Sequence, residues 1–415
     1  MLEALADIGR SARTGGYHRD AWSPADLELR EWFRQEAARR GLDLDEDRNG
    51  NLWAWWWPAT PGTPATGTPV MPGVVTGSHL DSVRDGGAFD GPLGVVSAFL
   101  AVDLLRGRGF EPGRPLGIVC FTDEEGARFG VPCVGSRLLT GALDPDSARR
   151  LTDDEGDTLA EVLERAGRRP RDLGADPATL ARVGVFVELH IEQGRALGRP
   201  VGVAEAIWPH GRWRFDFTGE ANHAGTTALA DRDDPMLAYA RSVLAARAAA
   251  EEHGVLATFG KVRVEPGSAN AIPSRVSAWL DARGADEERV HRLVAELAEG
   301  GPGSGNVTCE SWTPEVVFDA ALRDRIAAVA DGAVSHSAPG PGRCGTRTAQ
   351  TGTPAVPTGA GHDAGVLARA GVPSAMLFVR NPTGVSHSPR EFAAPADCHA
   401  GVVALAAVLE DLCRT

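Results

Sequence analysis

Residues 70 to 126 constrain this chain most, because they alternate two apolar runs of strand length with one of helix length. "VMPGVVTGSH" is short, apolar and stops at His79. "GPLGVVSAFLAVDLLRGRG" is long, apolar almost throughout and closed by glycine. "LGIVCFTDEEG" is short again and runs straight into three acids. Strand, helix, strand in this rhythm indicates a parallel pair joined by a crossover helix, the unit of a three-layer α/β domain.

The flanks agree. "PADLELREWFRQEAARR" spaces Leu27, Leu29, Trp32 and Phe33 as a helix does, with Ser23 as N-cap and Gly41 as stop. "NLWAWWW" reads as a strand, its tryptophans packing the sheet, and the following "PATPGTPATGTP" as a turn. Near Trp208 the texture changes. "RWRFDFTGEANHAG" alternates like a half-exposed strand. Two helical runs, "DPMLAYARSVLAARAAAEEHG" and "DEERVHRLVAELAEGG", enclose a pair of strands. The expectation is a catalytic domain over 1–208 and 321–415, with a mostly parallel sheet, interrupted by an inserted α+β domain at 209–320. "GPGSG" at 301–305 is a short loop, and no internal repeat is present.

A chain of 415 residues exceeds what one core usually serves, which fits two domains. The formal net charge of −14 argues against nucleic acid and against anionic membrane surfaces as partners. It also means that an anionic substrate must be drawn in by local arginines. Lys261 is the sole lysine, so Schiff-base chemistry would rest on it alone. The six cysteines form no CxxC pair, and Cys344 has no base beside it in sequence. The N-terminus lacks an apolar signal core, and the longest apolar run is too short to span a bilayer. The expected compartment is a reducing cytoplasm.

Three strand ends collect polar residues: His79-Leu80-Asp81 with Asp90, Asp123-Glu124-Glu125, and Glu188-Leu189-His190. "GVSHSP" adds His387. Ligands bind at the carboxyl ends of strands in open α/β sheets. Acids gathered there repel one another unless cations intervene. Histidine plus carboxylate is zinc-type ligation, and a shared carboxylate lets two metals share a water. Asp81, two residues past His79, is placed to bond the far ring nitrogen. The competing reading is a set of ordinary structural histidines and solvated turns; the apolar strand leading into Glu124-Glu125 argues against a plain surface turn.

"GSHLDSVRDGGAFDGPLGV", "DEEGARFG", "ELHIEQG", "NHAGTT", "GAGHDA" and "GVSHSPRE" occur in that order. Together they resemble the dinuclear-metal amidohydrolases of the hydantoinase/carbamoylase family, which act on ureido and N-carbamoyl compounds and lie within the zinc aminopeptidase and aminoacylase superfamily. The likeness spans nearly the whole chain. It implies two divalent ions per subunit, zinc first, with Mn²⁺, Co²⁺ or Ni²⁺ as alternatives. It implies His79 and His190 as ligands of one ion, His387 and Glu125 as ligands of the other, and Asp90 as the carboxylate bridging both, its peptide to Gly91 being cis. It implies Glu124 as the general base, with Asp81 supporting His79. His223 would steady the oxyanion from the partner subunit of a homodimer. Gln193 would line the pocket, and Asn270 and Arg283 would hold the substrate carboxylate. His362, in "GAGHDA", would lie beside the pocket without metal contact.

The expected activity is hydrolysis of a linear amide or ureido C–N bond in a small carboxylate substrate, allantoate first. An N-carbamoyl or N-formyl L-amino acid, N-formylglutamate included, is the alternative, and a metallo-aminopeptidase or dipeptidase is a second. A catalytically dead binding protein is the reading from a different class, against which the intact Glu124 and ligand set speak. Arg380, a few residues before His387, is a candidate reader of a second ureido arm.

Overall fold

The computed structural model describes residues 1–59, 71–299, 305–337 and 352–414. The 58–69 turn and the 301–305 loop lie almost wholly outside the described residues, as does Cys344. The chain divides into two compact units, Met1–Glu205 with Val317–Thr415, and Ala206–Val316.

The first unit opens with the helix Pro24–Arg39. Ser23 caps it by accepting the Asp26 N–H at 3.3 Å, and Pro24 stands where its missing N–H costs nothing. Strands β1 (Asp43–Glu46), β2 (Leu52–Trp56), β3 (Gly73–His79), β4 (Leu116–Phe121), β5 (Val183–Ile191) and β6 (Val201–Ile207) follow. The inserted unit holds β7 (His210–Thr218), β8 (Asn222–His223), β9 (Leu256–Glu265), β10 (Ala271–Ile272), β11 (Arg275–Arg283) and β12 (Asn306–Thr313). The return supplies β13 (Val316–Val317), β14 (Ala355–Thr358) and β15 (Ser374–Val379).

The main sheet has the order β1-β2-β4-β3-β5-β15-β6-β13. Its centre, β4-β3-β5-β15, is parallel; β2 and β6 join antiparallel at its flanks. Strands buried on both faces must be apolar almost throughout, which is why β3, β4 and β15 are buried along their whole length. Val185, Val187, Leu189 and Ile191 of β5 join one large core with the helices Pro92–Gly107, Ala320–Ser337 and Pro395–Cys413. Side chains alternate along a strand, so Glu188 and His190 point to the opposite face. There Glu188 accepts the N–H of Ala364, in the helix Asp363–Arg369, at 3.2 Å. Phe99 is fully buried against Phe33, ring centroids 5.1 Å apart; burying one such ring stabilises the fold by about 1.5–3 kcal/mol.

The second unit is a four-stranded antiparallel sheet, β12-β7-β11-β9, packed through Phe215, Phe217, Val276, Ala278 and Leu280 against the helices Pro235–His253 and Glu287–Glu299. The two-residue ladder β8–β10 pairs His223 with Ala271. No helix of the described residues is long and apolar enough to cross a membrane.

Candidate metal centre

Four parallel strands of the first unit end together, and the polar residues sit where they end. His79 is the last residue of β3 and His190 the penultimate residue of β5. Asp123 follows β4 in a left-handed conformation, φ 53°, which turns the chain so that Glu124 and Glu125 follow at once. His387, also left-handed at φ 54°, lies on the loop after β15. Non-glycine residues in this region cost of order 1–3 kcal/mol each and concentrate at functional sites.

Asp90 lies between two groups of side chains. Its Oδ1 is 3.2 Å from His190 Nε2 and 3.6 Å from His79 Nε2. Its Oδ2 is 3.4 Å from His387 Nε2, which in turn lies 3.5 Å from Glu125. Thus one carboxylate offers one oxygen to His79 and His190 and the other to His387 and Glu125. The donors of each group, His79–Asp90–His190 and Asp90–Glu125–His387, all lie within 4.8 Å of one another. The buried Nε2 atoms of His79 and His190 have no hydrogen-bond partner. A buried polar atom left unpaired costs about 1–3 kcal/mol, whereas a cation against those nitrogens would satisfy both. Two mixed histidine–carboxylate sets sharing an acid therefore fit divalent cations of the zinc or manganese kind.

Close approach at Asp90 depends on Gly91, which has φ 79° and would place a Cβ 2.5 Å from the His79 ring. The expected cis geometry of the Asp90–Gly91 peptide is absent. Among the described residues Glu265–Pro266 is the cis bond, and the turn after Asp90 is taken up by the positive φ of glycine instead.

The charges are crowded. Burial raises the Glu124 carboxyl well above the ordinary carboxylate range, Asp363 and Glu125 add to this, and His79 opposes it. Burial and the neighbouring Asp90 push Glu125 up to about 7. Burial alone would lower His387, but Asp90 and Glu125 carry it up to about 9. Burial would likewise raise Asp90, yet His190, His387 and His79 hold it well below its usual range. The acids and histidines of this cluster thus push one another's proton affinities in opposite directions, as expected of a cation-binding donor set.

The neighbouring residues have distinct tasks. Both carboxylate oxygens of Asp81 accept backbone N–H groups, of Glu124 at 3.2 Å and Glu125 at 3.0 Å. His79 Nδ1 lies 3.1 Å from the Asp81 carbonyl and 3.5 Å from its carboxylate, so Asp81 ties the ends of β3 and β4 together. Glu124 lies 3.7 Å from His79 Nε2 and accepts from Cys133 Sγ at 3.5 Å. The Gln193 amide donates to Asp90 Oδ2 at 2.8 Å. His362 stacks edge-on against His190, centroids 4.6 Å apart. With Glu188 and His190 it forms a third potential cation-holding group, a possibility that the sequence reading set aside.

Three predicted residues belong to the inserted unit. His223 and Asn270 share one corner: Ala224 N–H donates to the Asn270 carbonyl at 2.9 Å, and His223 is exposed. Arg283 stands at the far end of β11, paired with His210, whereas the β8–β10 corner follows the Thr218–Arg275 end. Eight steps of strand separate those ends, on the order of 25 Å. Within one chain Asn270 therefore lies beyond one end of β11 and Arg283 at the other. Arg283 also donates to Asp281 through Nε at 2.7 Å and a terminal nitrogen at 2.5 Å. Arg380, in the first unit, forms a forked pair with Asp397 at 2.9 and 3.2 Å, so its charge is committed to the start of the last helix.

Sequence reasoning passed over Glu391, Asp363 and Ser136, and it gave Glu188, noted at its strand end, no role of its own. Glu391 carried a usable signal: it is an acid four residues after His387 in a motif already singled out. Asp363 and Ser136 meet across 227 residues at 2.5 Å, and nothing local announces that.

The profile of peptidase family M20/M25/M40 matches residues 75–411. An N-carbamoyl-L-amino acid amidohydrolase of Geobacillus stearothermophilus is 34% identical, over 97% of this chain and 95% of its own. An allantoate amidohydrolase of Escherichia coli is 30% identical, over 96% of this chain and 93% of its own. Among solved structures, a hydantoinase/carbamoylase family amidase from Burkholderia vietnamiensis superposes with a TM-score of 0.84 at 28% identity, covering 99% of this chain and 95% of that one.

Proposed function

The chain belongs to peptidase family M20/M25/M40, and from that premise we propose that it is a metal-dependent amidohydrolase cleaving a linear, non-peptide C–N bond in a carboxylate substrate, allantoate first. The observation that carries the reading is Asp90, whose two oxygens face two separate donor groups. His79, Asp90 and His190 would hold one divalent ion, and Asp90, Glu125 and His387 the other. When bound, such a pair polarises a carbonyl and makes a water acidic enough to lose its proton near neutral pH.

The rest is the work of this chain's residues. Glu124 is buried beside His79, in surroundings that raise its affinity for a proton. Its carboxylate is placed to take a proton from the attacking water and return it to the leaving nitrogen. Asp81 fixes Glu124 and Glu125 through their backbone N–H groups, and Gln193 fixes Asp90. His223 would donate to the developing oxyanion.

A homodimer is part of the proposal. Leu244 on the helix Pro235–His253 is 73% exposed and Leu256 on the edge strand β9 is 57% exposed. Apolar side chains on an unpaired edge and its neighbouring helix favour pairing with a second copy. The separation of Asn270 from Arg283 supports the same view: if both serve one carboxylate, two chains must supply them. A reducing, cytoplasmic setting agrees with the free thiols of Cys120, Cys133, Cys309, Cys398 and Cys413.

The second reading is an N-carbamoyl L-amino acid as substrate. It is favoured by the commitment of Arg380 to Asp397, which leaves a second ureido arm without that reader. Side-by-side kcat/KM values of metal-loaded protein for allantoate, N-carbamoyl and N-formyl L-amino acids decide between them. A tenfold advantage for an N-carbamoyl or N-formyl amino acid reverses the order, and no turnover of any of the three refutes the proposed activity.

A further inference from the structure

Glu391 reaches from the His387 loop to the loop that carries Asp90, across 301 positions of sequence. Its Oε2 accepts the backbone N–H of Asp90 at 3.0 Å and that of Phe89 at 2.8 Å. Its Oε1 lies 3.4 Å from Ser386 Oγ, which lies 3.2 Å from Asp90 Oδ2. Glu391 is 6% exposed. Gly87 leaves room for it, since a Cβ there would meet Glu391 Oε2 at 2.2 Å. The loop Gly87–Asp90 is thus shaped around this one carboxylate, and two adjacent N–H groups converge on a single oxygen.

We infer that Glu391 is a positioning residue of the dinuclear centre: it fixes the backbone of Asp90 so that the two carboxylate oxygens face the two donor groups, and it locks that loop to the one bearing His387. The inference rests on the metal-centre reading given above. Its physical basis is direct. A pinned Asp90 N–H fixes the backbone from which its side-chain rotamers start, and Gln193 and Ser386 then hold Oδ2 from that position. Phe89 would otherwise present a part-buried N–H without this acceptor. Joining the two loops also couples the residue shared by both ion sites to a ligand of only one of them.

The test separates position from charge. Glu391→Gln keeps the chain length and one carbonyl acceptor. Glu391→Asp keeps the charge but draws the acceptor back by one methylene. Outer-shell changes of this kind typically weaken metal binding about 10–100-fold. The expected result is a loss of that size in Zn²⁺ affinity for Glu391→Asp, measured by chelator competition, with recovery to within about threefold of the parent in Glu391→Gln. At saturating Zn²⁺, kcat in Glu391→Asp should remain depressed while KM changes little. A purely structural role would instead lower thermal stability of the metal-free protein without this ordering of affinities. Parent-like Zn²⁺ affinity in Glu391→Asp, or equal losses in both variants, overturns the inference while leaving the centre itself standing. A parent protein that binds no Zn²⁺ refutes the centre, and the role of Glu391 with it.

Discussion

The strand-end centre of the first unit and the β8–β10 corner of the second both carry residues assigned to catalysis, yet they are built in opposite ways. His79, Asp90, Glu124 and His190 are each 5% exposed or less. They are held from several directions: Asp81 fixes the two glutamates, Gln193 and Glu391 fix Asp90. His223 lies in the open on a two-residue strand, and Arg283 stands at the other end of the sheet, already engaged by Asp281. In the proposed enzyme the first region would be complete within a single chain, and the second would act only with a partner's centre. A cation cage needs preformed ligands, because cation geometry tolerates little error; in the proposed dimer, the groups that meet the substrate would come with a second surface.

Glu124→Gln should strike the first region hardest. It preserves shape and removes the base, so kcat should fall by about 10²–10⁴-fold with both ions retained by elemental analysis. Loss of an ion instead would move Glu124 into the ligand shell and make the first region less separable into holder and actor.

Next is complementation. If His223 acts on a neighbour's centre, His223→Ala and Glu124→Gln chains, each nearly inactive, should recover activity when mixed and allowed to exchange. One hybrid site then holds both groups intact. No recovery after exchange is demonstrated would return His223 to its own chain.

Arg283→Ala should be milder. A charge-assisted hydrogen bond contributes roughly 1.5–3 kcal/mol, so kcat/KM should drop by about one to two decades. The loss should largely vanish for the carboxamide analogue of the substrate. An equal loss for both would assign Arg283 to holding Asp281 rather than substrate.

The smallest effect concerns protons. The acids Asp90 and Glu125 raise His387 to about 9 in the ion-free protein, so at pH 7 the ring is protonated and must release that proton to bind an ion. Apparent ion affinity should therefore rise with pH and level off as pH passes about 9. The sign for stability is the reverse. A raised folded-state value favours the ion-free fold below the unfolded histidine value of about 6.5, and this contribution fades as pH rises through about 9. Calorimetry in buffers of different ionisation enthalpy measures the released proton, and its absence at pH 7 would contradict the crowding described here.

Much of the first region was legible because its signals are local. A βαβ rhythm fixes where strands stop, and His79, Glu124 and His190 lie at or within a few residues of those stops. The pairing of β8 with β10 was not legible, since two-residue strands have no period to read. Nor was the distance between Asn270 and Arg283. Thirteen positions of sequence suggest neighbours, but a nine-residue strand intervenes and carries them apart. Arg380 looked available because its partner, Asp397, lies 17 residues on, at the foot of another helix. Glu391 shows the general difficulty: its partners are backbone N–H groups, which leave no mark in sequence.

If Asp90 serves two ions at once, counting ions in three proteins will show it. The expected content is two divalent ions per chain in the parent, one in His387→Ala and none held tightly in Asp90→Ala, each folded by circular dichroism. An Asp90→Ala protein that still holds two ions, or a parent that holds none after loading with Zn²⁺ or Mn²⁺, would contradict it.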